Sequence, residues 1–183
     1  MADEIAPAAR RNVAIYRTDT GAIVRIVQCR YADVANQAAV GEAALDFTGQ
    51  PAPTFLGHGV VDGAIVARTP PIEALRSIKT ADLSASCSSA IRGGFTSSAL
   101  GSAQTYPSAE TDQRNLAQAA LVGGYLWCST SGAWSLAAHT AAQAQAVLAD
   151  FSTFRDSQRT NLAALLARVG TAADQGALDA ISW

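Results

Sequence analysis

The sequence contains little charge, and positive charge is especially scarce. Of its 183 residues only 13 are basic, against 15 acidic, and Lys79 is the only lysine. Charged residues make up 15% of the chain, whereas about 25% is usual in soluble domains. Binding to nucleic acid needs a concentrated positive field on the protein surface. The sequence therefore predicts no nucleic-acid partner, and its sparsely charged surface favours a protein that works within an assembly.

Long apolar runs are absent as well. A helix that crosses a bilayer needs about 20 consecutive apolar residues, and the longest runs here contain only a few. The first residues include Asp3 and Glu4, where a secretory signal peptide carries basic residues. We therefore expect no membrane insertion, and we expect synthesis in the cytoplasm of the cell that makes the protein.

Residue types that form metal, cofactor and catalytic sites are few and scattered. Cys29, Cys87 and Cys128 lie far apart, and neither His58 nor His139 has a cysteine or carboxylate at metal-ligand spacing. No Gly-x-Ser-x-Gly nucleophile motif occurs. The sequence predicts unpaired thiols, no bound metal, no cofactor and no catalytic residues, so we expect that the protein is not an enzyme.

The first third of the chain contains strand and turn signals. Residues 13–28 form two β-branched runs around a glycine-containing turn, and residues 55–61 and 64–67 flank an Asp-Gly turn. Between these predicted hairpins, residues 32–45 are rich in alanine and typical of a helix. Residues 1–69 are therefore predicted to form a small ββαββ module.

Two prolines after residue 69 mark a domain boundary. Pro70 disfavours helix before it, and Pro71 suits the first turn of a following helix. We predict an α+β fold, in which residues 70–183 form a mainly α-helical domain with two short β-hairpins and a long C-terminal helix. The predicted helices cover residues 72–91, 108–122, 141–169 and 172–181, and the predicted hairpins cover residues 95–106 and 125–137.

The predicted long helix, which Thr140 can cap, carries one apolar stripe. Its members are spaced mostly three and four positions apart, which places them on one helix face. Gln158 is the polar member, and it either fixes the register of a helix bundle or simply reaches water. The stripe consists of Val147, Phe151, Phe154, Gln158, Leu162, Leu165 and Val169.

Six short segments of the C-terminal part follow one another in a specific order and spacing. They are Phe95-Thr96-Ser97-Ser98-Ala99-Leu100-Gly101, Tyr106-Pro107-Ser108, Asp112-Gln113-Arg114-Asn115-Leu116, Trp127-Cys128, Trp134 and His139-Thr140-Ala141-Ala142-Gln143. Through them, about residues 72–183 resemble an uncharacterised domain family found at the C-terminal ends of bacteriophage and prophage tail proteins, often close to the tail-fibre region. The Asp-Gln-x-Asn-Leu box contributes most to this resemblance.

Three polar residues of this box, Asp112, Gln113 and Asn115, lie at the start of a predicted helix. Backbone N–H groups there lack helical partners, and side chains can bond them, a carbonyl of the preceding hairpin or a neighbouring subunit. We interpret the three residues either as a structural lock between hairpin and helix or as no more than a favourable helix N-terminus.

The resemblance implies a structural component of a bacteriophage tail, baseplate or tail-fibre assembly, located in the virion tail. Its partners would be copies of itself, with a trimer favoured, and other phage tail or fibre proteins. The stripe from Val147 to Val169 would then supply the subunit contact. The alternative is a tail-fibre assembly chaperone, which acts before the particle is complete. The resemblance assigns no catalytic residues.

Overall fold

The computed structural model describes residues 9–183, and the fold is α+β. The chain divides into two units, Met1–Ala74 and Leu75–Trp183. The sequence placed the boundary after residue 69, whereas this division falls within the first turn of the helix Ile72–Arg92 (α1). The two units are described separately below.

Five strands lie in the described part of the N-terminal unit. They are Arg10–Arg17 (β1), Ile23–Arg30 (β2), Glu42–Asp46 (β3), His58–Val61 (β4) and Ala64–Ala67 (β5). The first three form an antiparallel sheet in the order β2-β1-β3, and β4 and β5 form an antiparallel hairpin. As the central strand, β1 is completely buried at Val13, Ala14 and Ile15.

The helix predicted over residues 32–45 is wrong, and so is the ββαββ order. The segment forms a 3-10 helix, Tyr31–Gln37, and then the strand β3, which pairs with β1. The guanidinium of Arg25 holds this arrangement, because it donates to the Gln37 carbonyl and lies 2.9 Å from the Glu42 carboxylate. Pairing with a distant strand thus outweighs the local helix propensity of the alanines.

A turn glycine joins the sheet to the β4-β5 hairpin. Gly21 lies between β1 and β2 with a φ of +66°, and its carbonyl accepts a hydrogen bond of 2.8 Å from the Val60 N–H. A Cβ atom at this position would lie 2.1 Å from the Val60 carbonyl oxygen, so only glycine fits. The core beside this contact contains Ala14, Ile23, Phe47 and Val60.

The C-terminal unit combines helices with one antiparallel sheet. After α1 come Phe95–Ser97 (β6), Gln104–Tyr106 (β7), Glu110–Val122 (α2), Gly124–Thr130 (β8), Ala133–His139 (β9), Ala141–Thr171 (α3) and Gln175–Asp179 (α4). The sheet order is β6-β7-β8-β9. The helix predicted over residues 172–181 is shorter in the structure, because Asp174 caps it by accepting from the Ala177 N–H at 2.8 Å.

The long helix α3 begins where the sequence predicts. The Thr140 hydroxyl oxygen accepts from the Gln143 N–H at 3.2 Å, and the Gln143 side-chain oxygen accepts from the Thr140 N–H at 2.9 Å. This reciprocal pair is a capping box, which satisfies two backbone donors at once. The predicted role of Thr140 as the N-cap is confirmed.

One side of the four-stranded sheet packs against α2 and α3. Phe95 lies at the centre, with ring centroids 5.6 Å from Tyr106 and 5.1 Å from Phe151. Other buried members of this core are Leu116, Ala119, Ala120, Leu126, Cys128, Ala144 and Val147. The sheet therefore has one covered face, and its other face points away from the two helices.

Candidate functional site

The outer face of the β8-β9 hairpin is apolar and exposed. Successive side chains of a strand point to opposite sides of the sheet, so Tyr125 and Trp127 of β8 share the outer face. Trp134 and Leu136 of β9 join them, and Leu136 lies directly opposite Trp127. The exposed fractions are 72% for Tyr125, 49% for Trp127, 52% for Trp134 and 53% for Leu136. We call these four side chains the aromatic face.

The turn of the hairpin sets which residues point outward. Ser131 and Gly132 both have positive φ angles, 53° and 89°, the pattern of a two-residue turn whose twist matches the flanking strands. A shift of one residue would exchange the two faces and bring Leu126 and Cys128 to the surface. Because those side chains are buried in the core, the aromatic face has to point outward.

No charged residue interrupts the aromatic face. Neither β8 nor β9 contains Asp, Glu, Lys or Arg. Soluble proteins that work as monomers rarely expose large contiguous apolar patches, and such patches usually mark an interaction surface. The arrangement is therefore suited to binding a partner surface.

A buried polar pair lies beneath the inner side of the hairpin. The Tyr106 hydroxyl and His139 Nε2 are 2.9 Å apart, and His139 Nδ1 is 2.9 Å from the Ala137 carbonyl oxygen. A carbonyl can only accept, so Nδ1 carries the proton and Nε2 accepts from the Tyr106 hydroxyl. The pair ties β7 to the end of β9.

Burial favours the protonated forms of two side chains here, Tyr106 of this pair and Cys128. Burial raises the pKa of Tyr106 to about 12. Burial also raises the pKa of the Cys128 thiol above its usual range. Because a thiolate is the nucleophilic form of cysteine, this environment suits a structural role for Cys128.

A small depression, which reaches the buried residues Tyr106, Leu116 and Leu126, borders the aromatic face at the start of α2. Tyr125 and Trp127 line one side of it, and Asp112 and Asn115 line another. Its volume is about 120 Å³, whereas pockets for small ligands usually have about 300–1,000 Å³. The depression is therefore too small for an ordinary ligand, and it places two of the predicted lock residues beside the aromatic face.

The predicted lock residues bond mainly within their own turn. Asp112 Oδ2 accepts from the Ala109 N–H at 3.1 Å, and Gln113 Nε2 donates to the Ser108 carbonyl at 2.9 Å. Asn115 is exposed. These bonds stabilise the N-terminus of α2, and the Gln113 bond ties α2 to the segment that follows β7.

Ser108 makes the longer-range connection, which sequence reasoning missed. Its hydroxyl donates to the Ile91 carbonyl at 2.6 Å and accepts from the Gly94 N–H at 2.9 Å. The predicted helix start at Ser108 is wrong, since α2 begins at Glu110. The side chain of Ser108 is directed to the end of α1, so it does not cap α2.

Most of the apolar stripe of α3 is buried within the chain. Four of its members, Val147, Phe151, Leu165 and Val169, are buried and offer no surface to a partner. This corrects the expectation that the whole stripe supplies the subunit contact. The remaining members, Phe154, Gln158 and Leu162, are half-buried.

The described residues also bear on two other kinds of site. Among the helices of residues 9–183, none is both long and apolar enough to cross a membrane. Over the same part of the chain, no three His, Cys, Asp or Glu side chains come together as possible metal ligands.

Comparison with known proteins identifies one relationship. No curated protein and no solved structure matches the chain. The family model described as a domain of unknown function, DUF4376, matches residues 74–182, which is more than half of the chain and nearly all of the C-terminal unit. The chain therefore belongs to the DUF4376 family.

Proposed function

We propose that the protein is a structural component of a bacteriophage tail, baseplate or tail-fibre assembly. It is made in the host cytoplasm, resides in the virion tail and works as a homo-oligomer in contact with other tail proteins. The resemblance of residues 72–183 to phage tail domains supports this assignment. The observation that carries it is the aromatic face, because an uncharged surface of this kind is suited to being covered in an assembly.

The proposal assigns no catalytic step to the protein. Tyr106 and Cys128 are the two groups with raised pKa values. Their side chains are buried in the core on the covered face of the sheet, and both stay protonated at neutral pH. Their role in this proposal is to stabilise the hairpin that displays the aromatic face.

Quantitative mass spectrometry of purified infectious particles tests the location. We expect the chain in the particles at a fixed copy number, and the resemblance favours a multiple of three. A chain that is absent from particles but co-purifies with unassembled fibres would instead be the assembly chaperone. A chain found with neither contradicts both functions.

A matched pair of substitutions tests the surface. Trp134→Ser removes half-exposed apolar area from the aromatic face, which is worth about 1 kcal/mol to a partner, so incorporation into particles should fall roughly fivefold. Leu121→Ser is the control, because Leu121 is 74% exposed but lies on α2. Equal incorporation of the two variants would show that the aromatic face is not the contact.

A further inference from the structure

The outer edge of β9 is an unpaired strand edge. The sheet order β6-β7-β8-β9 leaves β9 with one neighbour, and all seven of its residues pair with β8. No loop in the described part of the chain makes a backbone hydrogen bond to β9. Its other side therefore presents a row of N–H and C=O groups that can pair with a further strand.

This edge lacks the features that normally keep strand edges apart. Natural edge strands are blunted by charged residues, proline, a β-bulge or short length. The β9 sequence Ala-Trp-Ser-Leu-Ala-Ala-His has no Asp, Glu, Lys, Arg or proline, and its pairing with β8 is regular over seven positions. The opposite edge strand, β6, has only three residues. Of the two outer edges of the sheet, the one at β9 is therefore the longer.

We propose that β9 pairs antiparallel with β9 of a second copy of the chain about a two-fold axis. The inference rests on the proposed homo-oligomer and names a surface that joins its copies in pairs, so a multiple of three is compatible with it only when the number is even, as in six copies. Pairing of this kind extends the sheet from four strands to eight, and both aromatic faces then lie on the same side.

The β9 sequence matches itself when the axis passes through Leu136. All seven residues then have partners, and Trp134 lies opposite Ala138 of the other copy, so a large side chain meets a small one. Leu136 lies opposite its own copy, and no like charges face each other. A strand with complementary sizes along its own reversed sequence favours a second copy over an unrelated strand.

Side-chain contacts alone do not supply enough free energy for two copies to associate. In this pairing only Trp134 and Leu136 of the aromatic face lie beside the second copy, and partly covering these two half-exposed side chains contributes roughly 1–2 kcal/mol, less than the about 4–15 kcal/mol that association costs. Seven further strand positions add backbone hydrogen bonds to that contact. The backbone pairing of the edge therefore has to supply most of the binding free energy, and Tyr125 and Trp127 on β8 stay open to another partner.

Cross-linking tests the pairing directly. Residues that face each other in an antiparallel pair have Cα atoms about 4.5–5.5 Å apart, within the range that a disulfide spans. Oxidised Leu136→Cys should therefore run as a covalent dimer in most of the sample. Leu121→Cys is the control, because Leu121 is more exposed but lies on α2, so it should cross-link no more than the wild-type chain does.

Two further measurements test the pairing without relying on a disulfide. Analytical ultracentrifugation of the full chain should give an even number of copies, and Leu136→Lys should halve the mass whereas Leu121→Lys should not. In wild-type protein, hydrogen exchange at the β9 amides should slow as the protein concentration rises.

Several outcomes would overturn the pairing. A monomer, or a trimer without two-fold pairs, contradicts it, and so does an even-numbered assembly in which Leu136→Cys does not cross-link. A β9 edge that pairs only with a different tail protein contradicts it as well. The proposed function is judged separately, since a chain present in particles without β9 pairing refutes this inference alone.

Discussion

Replacing Tyr106 by phenylalanine removes a single buried oxygen atom from the C-terminal core. The hydroxyl donates to His139 Nε2 at 2.9 Å, and the two residues are only 2% and 4% exposed. In Tyr106→Phe the ring can keep its packing against Phe95, 5.6 Å away between centroids. His139 Nε2 is then left as a buried acceptor without a donor. The substitution therefore isolates one hydrogen bond.

The expected cost follows from that unpaired acceptor. A buried polar atom that loses its partner costs about 1–3 kcal/mol, more than the net value of an average hydrogen bond. With a urea m-value of about 1–3 kcal/mol/M, a loss of about 2 kcal/mol lowers the unfolding midpoint by roughly 1 M. The same loss lowers the Tm by about 8–16 °C for a unit of this size.

Tryptophan fluorescence during urea unfolding of the full chain measures this change. All three tryptophans, Trp127, Trp134 and Trp183, lie in the C-terminal unit, so their signal reports on that unit alone. Tyr125→Phe is the control, because it removes the same atom from an exposed tyrosine and should change stability by less than about 0.5 kcal/mol. If the two variants unfold at the same urea concentration, the Tyr106–His139 bond does not stabilise the fold.

Three other predictions concern pH and single positions. The pKa of Tyr106 is about 12 in the folded chain, against 10.0 for a free tyrosine, so the unfolded state loses its proton first as pH rises. Stability of the C-terminal unit should fall between pH 10 and pH 12, and urea titrations should show a shallower fall in Tyr106→Phe. Gly21→Ala should destabilise the N-terminal unit by at least about 1 kcal/mol more than Gly41→Ala, measured by hydrogen exchange of β1 amides. Gly21 and Gly41 both have positive φ. A Cβ atom at Gly21 would clash with the Val60 carbonyl oxygen, whereas a Cβ atom at Gly41 would meet no neighbouring atom. Ser108→Ala should cost about 1–2 kcal/mol by urea unfolding, since it leaves two partly buried backbone groups without this partner, whereas exposed Ser98→Ala should cost less than about 0.5 kcal/mol.

Local signals in the sequence predicted most elements of the C-terminal unit. The capping pair Thr140 and Gln143 marked the start of α3, and the helix predicted over residues 72–91 corresponds to α1, Ile72–Arg92. In both cases the decisive residues lie within a few positions of the helix end. The strand β3 was missed because its partner β1 is about thirty positions earlier in the chain, and no nearby residue reports that pairing.

The sequence predicted the hairpin that carries the aromatic face, but it did not predict which side of that hairpin is exposed. The hairpin around Ser131-Gly132 was predicted, and the available signal for the exposed face was in β9, where Trp134 and Leu136 alternate with small residues. Both sides of β8 are apolar, so the pattern did not tell which side the helices cover. The α3 stripe raised the same problem, because periodicity identifies an apolar helix face but not whether the same chain or another one covers it.

The strand order of the C-terminal sheet has a consequence for biosynthesis. Each strand from β7 to β9 pairs with the strand before it in the chain, so no strand has to wait for a distant segment. Sheets with such low contact order fold faster than sheets built from remote segments. Rapid folding shortens the time for which newly made chains expose the strands that end up paired, so β9 is the strand of this sheet that stays open to a partner once folding is complete.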